Sequence, residues 1–141
     1  MKELRGKVAA ITGAASGLGR AMALAFADEG MHVALADVAD TSEVFAEVEA
    51  RGVSALARKV DVSRAEEVEA FAAQVEKDLG PTALVCNNAG VSAHGAAWEA
   101  SVDDWRWVLG VNVWGVIRDD SRLQWTQPRS VASPGQRNHP W

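Results

Sequence analysis

The chain has 141 residues, 48% of them hydrophobic and 23% charged, and its net charge is −5. That is the length of a single domain with the composition of a globular chain, not a disordered one. The acidic balance argues against binding to a nucleic-acid backbone, no polybasic patch addresses a lipid surface, and no apolar run reaches the roughly 18 residues a membrane span needs.

Residues 1–7 lead straight toward a strand-like run, without the apolar core or cleavage site of a signal peptide. Val8 to Thr12 is a short apolar run that stops at glycine, which predicts a strand buried on both faces. Leu18, Met22, Ala25, Phe26 and Glu29 then fall at helical spacing, and Gly30 is placed to end that helix. His32 to Asp37 reads as a second strand. Thr41 can cap a helix that runs to about Ala50 and stops at Gly52. Val53 to Val60 reads as a third strand, and Ser63 with Glu66 has the spacing of a capping box. Val68, Phe71, Ala72, Val75 and Leu79 share one face of the next helix, which Gly80-Pro81 breaks. Thr82 to Cys86 is a fourth buried strand. After a loop, Ser101 and Asp104 form a second capping-box pattern, and Trp105, Val108, Leu109, Asn112 and Val116 continue at helical spacing.

Four strands alternating with helices over short loops predict an α/β fold, a parallel sheet covered by helices and joined by right-handed crossovers. The character changes after Ile117. Residues 118–141 carry three of the four prolines and no apolar run fit for a buried strand, and are expected to be a disordered tail. A coding sequence cut or shifted near Arg118 would produce the same pattern, and the two readings are compatible.

Chemistry concentrates in the loops that follow the four strands. Thr12-Gly13-Ala14-Ala15-Ser16-Gly17-Leu18-Gly19 joins the first strand to the first helix. Its glycines would let a phosphate-bearing ligand approach the backbone, and the helix start offers free N–H groups to an anion. A tight strand–helix turn without a ligand is the bland alternative, and the spacing is not the general G-x-G-x-x-G fingerprint. Asp37 ends the second strand about 20 residues further on, where an acid can accept hydrogen bonds from an adenosine ribose. Alternatively it is a surface-turn acid. Facing a ribose, it would repel an added 2′-phosphate by about 4 kcal/mol at 4 Å and an effective dielectric of 20. Ala15, Ser16, Val38 and Ala39 supply no offsetting cation, so NAD is favoured over NADP.

Thr12 to Gly19 in T-G-x-x-x-G-x-G spacing, Asp61-Val62 after the third strand, Asn87-Asn88-Ala89-Gly90 after the fourth and Asn112 in the following helix come in that order. Together they resemble the classical short-chain dehydrogenases/reductases over residues 4–117. The resemblance implies a Rossmann-type doubly wound parallel sheet, truncated here after the fourth strand and its helix. It implies a partial NAD(P)-binding domain over residues 1–117 and a non-family tail over residues 118–141. Gly13, Ser16, Gly17, Leu18 and Gly19 would then hold the pyrophosphate and adenosine side, Asp37 the ribose hydroxyls, and Asp61 and Val62 the adenine. Asn88, Ala89 and Gly90 would sit beside the riboses and pin the fourth strand to the first. Asn112 would be a structural remnant of the active site, or else a satisfied core amide.

One departure limits what the family implies. Its chemistry is hydride transfer between the nicotinamide and an alcohol or ketone, with a serine and a Tyr-x-x-x-Lys motif handling the proton. This sequence has no tyrosine, and its last lysine is Lys77. Ser121, Ser130 and Ser133 stand in polar sequence, not after an apolar strand. The expectation is therefore an NAD-dependent oxidoreductase by class, present as a cofactor-binding fragment lacking turnover. A non-catalytic NAD-binding half-domain and a gene remnant are the alternatives.

The remaining features are weaker. His32, His94 and His139 with the single Cys86 show no metal-ligand spacing, and one cysteine cannot form an internal disulfide, so a reducing cytoplasm is expected. All six tryptophans lie from Trp98 onward. Trp98, Trp105, Trp107 and Trp114 read as helix packing or as a face meant for a partner. Self-association is expected through the helix containing Asn112 or through the unpaired edge of the fourth strand.

Overall fold

The computed structural model describes residues 3–93 and 95–123. Four strands, β1 (Val8–Thr12), β2 (His32–Asp37), β3 (Ala55–Lys59) and β4 (Thr82–Cys86), form one parallel sheet in the order β3-β2-β1-β4. Between them run α1 (Gly17–Asp28), α2 (Ser42–Glu49) and α3 (Ala65–Asp78). After β4 come α4 (Val102–Leu109), a π-helical segment (Gly110–Gly115) and α5 (Val116–Leu123). This is a Rossmann-like α/β fold.

The sheet is central because its inner strands are apolar on both sides. Val8 and Ala10 of β1, with Ala34 and Ala36 of β2, face a core built with Val68, Phe71 and Val75 of α3, and with Val111 and Leu123. Ile11, Val33 and Leu35 face the other way, onto Ala23 and Ala27 of α1 and Val44 and Val48 of α2. The period-two alternation of strand side chains thus feeds two cores at once. The third strand is shorter than the expected Val53–Val60, and Ala57, Arg58 and Lys59 are exposed, because β3 is an edge.

Several local expectations are corrected. The buried face of α1 is Gly19, Ala23 and Ala27, while Leu18 is 68% exposed. Small residues bring this helix close to the sheet, and a hydrophobicity stripe does not register them. Gly30 does stop α1: with φ +79° it lets its own N–H reach Ala27 O and the N–H of Met31 reach Phe26 O, a Schellman closure. The Ser63/Glu66 box does not form. Instead Asp61 Oδ1 accepts from Ser63 N, and Glu67 Oε2 accepts from Asp61 N, two residues earlier than expected. The Ser101/Asp104 box does form, its hydroxyl accepting from Asp104 N at 3.1 Å while the carboxylate accepts from Ser101 N at 2.9 Å.

The last helix continues through Ile117 to Leu123, so the stretch expected to be tail from Arg118 begins with ordered helix. Ser121 lies on it, exposed, its hydroxyl donating to Arg118 O. The expectations for residues 124–141, and those for His94, Ser130, Ser133 and His139, fall outside the described residues. None of α4 is buried; Trp98 is 88% exposed, and Trp105, Trp107 and Trp114 are also exposed, so these tryptophans do not form a packed helix interface within the described chain. No described helix is long and apolar enough to cross a membrane.

Candidate dinucleotide site

The site begins at the C-terminal end of β1, where parallel strands leave their loops on one edge of the sheet. Thr12 is buried there, and its hydroxyl accepts from the N–H groups of both Asn88 and Ala89 at 3.2 Å. The Asn88 amide returns two bonds, donating to Thr12 O at 3.1 Å and Gly13 O at 3.0 Å. Four hydrogen bonds therefore tie the loop after β4 to the loop after β1.

The two loops meet so tightly that glycine is required. Gly13 has φ +66°, and a Cβ there would lie 2.9 Å from Ala89 Cα. Gly19 sits inside α1, where a Cβ would come within 2.0 Å of Gly13 O. Gly17 differs. Its φ is +52°, but nothing lies within 4 Å of its missing side chain. That open side faces a groove.

The groove has a volume of about 500 Å³. Every residue assigned to the cofactor from sequence lines it except Gly19, which is buried behind the loop. Gly13, Ser16, Gly17 and Leu18 form one wall, Asp37, Asp61 and Val62 a second, and Asn88, Ala89 and Gly90 a third. Sequence reading missed Trp107 and Val111, which close the groove from the helix beyond β4. Trp107 falls among the tryptophans expected to be helix packing or a partner face, and Val111 lies outside the expected stripe; their four-residue spacing was the usable signal.

The groove's polar groups suit an anion at one end and hydroxyls at the other. Ser16 is the N-cap of α1 but makes no side-chain cap bond, and the first turn contains no acid. The N–H groups at this helix start are left for a ligand, with the positive end of the helix dipole behind them. Asp37 is held in place by two main-chain donors: Ala15 N to Oδ2 at 2.8 Å and Ala39 N to Oδ1 at 2.9 Å. Each oxygen keeps a second lone pair for a further donor. The same carboxylate draws the glycine loop toward β2, a role the sequence did not disclose.

Asn112 stands apart from the groove. It lies in the π-helical segment and is exposed, not buried in an apolar stripe. Its partner is the main chain of Val91, from which Oδ1 accepts at 2.9 Å and to which Nδ2 donates at 2.8 Å. It thereby fixes the loop that follows Gly90. A π-turn is a common device for aiming such a side chain. Gly115 ends that segment against Val62, which a Cβ would meet at 2.8 Å. Partial burial pushes the Cys86 thiol up from its ordinary value. Among the described residues no three His, Cys, Asp or Glu side chains are placed to hold a metal ion.

A three-layered α/β sheet with a glycine loop, an acid at the end of β2 and a groove across the strand ends defines a nucleotide-binding protein of the Rossmann type. Residues 7–119 match the family model of the short chain dehydrogenases. The chain belongs to that family, whose members are oxidoreductases.

The sequence is 40% identical over 111 residues to meso-2,3-butanediol dehydrogenase of Serratia marcescens, covering 79% of this chain and 44% of that protein. A crystal structure of a Burkholderia phymatum short chain dehydrogenase/reductase in complex with NAD matches with a TM-score of 0.82 at 43% identity. That match covers 86% of this chain and 44% of the other. A blue fluorescent protein from a metagenomic library, solved in complex with NADPH, matches with a TM-score of 0.84 at 29% identity, over 90% of this chain and 53% of its own. The chain thus spans about half or less of the length of these relatives.

Proposed function

We propose that the chain binds a nicotinamide adenine dinucleotide in the groove between Gly17, Asp37 and Asn88, with NAD preferred to NADP. The observation that carries this reading is the open side of Gly17 at an uncapped helix start, within a groove of about 500 Å³ that Asp37 also lines. The N–H groups at the start of α1 would bind the diphosphate, Asp37 the adenosine ribose, and Asp61 with Val62 would border the adenine. Asn88, Ala89 and Gly90 would position the second ribose. The bound dinucleotide supplies the hydride chemistry of the family, with an alcohol or ketone as the other substrate.

The same reading holds that these 141 residues turn over such a substrate poorly or not at all. They contain no tyrosine, and no lysine follows Lys77, so no Tyr-x-x-x-Lys pair can move the proton. Lack of a positioned acid–base group costs on the order of 10²–10⁴-fold in rate. Asn112 then serves as a remnant that shapes the loop at Val91. The exposed side chains of Trp105, Leu109, Val113 and Trp114 support self-association along the helix that contains Asn112. A single, partly buried Cys86 suits a reducing cytoplasm.

Titration with NADH, followed by its fluorescence or by calorimetry, tests the binding. Saturable binding that is lost in Gly17→Val is the expected result; no binding by the parent chain refutes the proposal. Mixing the chain with NADH and a panel of ketones should leave the absorbance of NADH unchanged, and clear turnover would overturn the second half. The Asp37→Ala variant should bind NAD more weakly and discriminate less against NADP, by about tenfold or more in the ratio of affinities.

A further inference from the structure

Val111, Gly115, Asp119 and Leu123 recur every four residues along the helix beyond β4 and form its buried stripe. Asp119 is the one ionisable member. It is 2% exposed, and its Oδ1 has no hydrogen-bonding partner among the described residues. A carboxylate in that position loses its hydration without recovering it in the protein.

Among the groups on its own helix and on the neighbouring β1, β4 and α3, one counter-charge acts on it, Arg118, against burial and Asp120. From β1 the Thr12 hydroxyl faces the carboxyl. From β4 comes Cys86, a neutral thiol, and beyond it Asn87, whose amide donates to Asp120 Oδ1 at 2.8 Å and whose own Oδ1 is a second buried acceptor with no partner. From α3 comes Glu69, already paired with Arg122 at 2.6 Å. On α5 itself, Asp120 repels a charge on Asp119, and Arg118, which favours that charge, spends its guanidinium on Val62 O. The segment Gly110–Gly115 brings no charged side chain. Asp119 Oδ1 and Asn87 Oδ1 are thus buried acceptors without a partner among the described residues, and protonating Asp119 removes the charge that its burial opposes.

We propose that Asp119 is a proton-operated latch on α5: neutral, it lets the helix lie against β1, β4 and α3, and charged, it loosens that helix from the sheet. Burial pushes the carboxyl up from its ordinary 3.8 to about 7, with Asp120 adding to the rise while Thr12 and Arg118 oppose it. The folded form therefore holds this proton more tightly than the unfolded chain does. The resulting stabilisation is whole below 3.8 and is lost as the pH rises through about 7.

The test is urea unfolding of the full chain between about pH 5 and pH 8, beside Asp119→Asn. The parent midpoint should fall across that window, while the variant, which keeps every other titrating group, should stay nearly level. An equal fall in both would overturn the latch. Should the variant not fold, carboxyl-carbon NMR of the parent chain decides alone: an Asp119 midpoint near 7 supports the latch, and one at the ordinary carboxylate position overturns it. Amide exchange gives the element-specific reading. Protection along Val116–Leu123 should fall over the window relative to β1, and an unchanged ratio counts against the proposal.

Discussion

Gly17 and Gly19 stand two positions apart, yet a side chain at each meets a different obstacle. At Gly19 the added carbon would strike Gly13 O, a backbone atom that cannot swing away. Gly19→Ala should therefore destabilise the fold, by about 1–3 kcal/mol as an overpacked position, and thermal unfolding measures it. At Gly17 there is room, and the difficulty is its left-handed φ of +52° together with loss of the groove's open side. Gly17→Val should leave a larger share of its effect on cofactor affinity than on the melting midpoint. The sequence identified both as loop glycines, because T-G-x-x-x-G-x-G spacing is a local property. It could not separate them, since what each would touch is set by Asn88 and Gly13 across the fold. Asn112 is similar: its need for partners was legible, but Val91 as the partner was not, because that pairing depends on how the loop after Gly90 is laid down.

Among the elements, the strands β1, β2 and β4 were legible to the residue, since continuous apolar runs bounded by glycine or polar loops have few other uses. Helix faces were less so. The stripe of α3 was legible because Val68, Phe71 and Val75 are large, whereas α1 packs through Gly19, Ala23 and Ala27 and leaves Leu18 outside. Caps were legible only where competing acids were absent. Ahead of α3, Asp61 and Glu67 displaced Ser63 and Glu66 from the expected pattern. Ahead of α4, Ser101 and Asp104 satisfy each other, and these bonds hold the Asp104 carboxyl below its usual range. Ser101→Ala should lower the helix content at this terminus and cost about 0.5–2 kcal/mol if α4 unfolds with the domain. A local loss of protection confined to α4, with no change in the global midpoint, would show instead that this helix is independently frayed.

For the whole molecule, exposed apolar surface is unevenly distributed. The sheet and its flanking helices bury most of their large apolar side chains, Leu18 excepted, while the region from Trp98 onward displays Trp98, Val102, Trp105, Trp107, Leu109, Val113, Trp114 and Ile117. Single exposed apolar residues are ordinary, but this many within twenty residues of sequence is a concentration of exposed apolar surface. If that surface is where copies associate, Trp105→Asp with Trp114→Asp should shift sedimentation at high concentration toward the monomer while leaving NADH affinity unchanged. A chain that sediments as a monomer before substitution would remove the proposal. The composition pointed to this asymmetry, since every tryptophan lies in the same part of the sequence. It did not say that the rings face outward, which follows from α4 lying beyond the sheet.

The brace between Asn88 and the end of β1 also sets an order of events during synthesis. The Asn88 amide grips Thr12 O across 76 positions of sequence. On the ribosome the glycine loop emerges early, and β1 can pair at once with β2, which lies close behind it. The third wall of the groove does not yet exist at that stage. Closing so long a loop costs more entropy and is slower than pairing β1 with β2 across the single helix α1. A nascent chain therefore displays the loop's free amides, with no strand beside them, until Asn88 has been translated and β4 has docked.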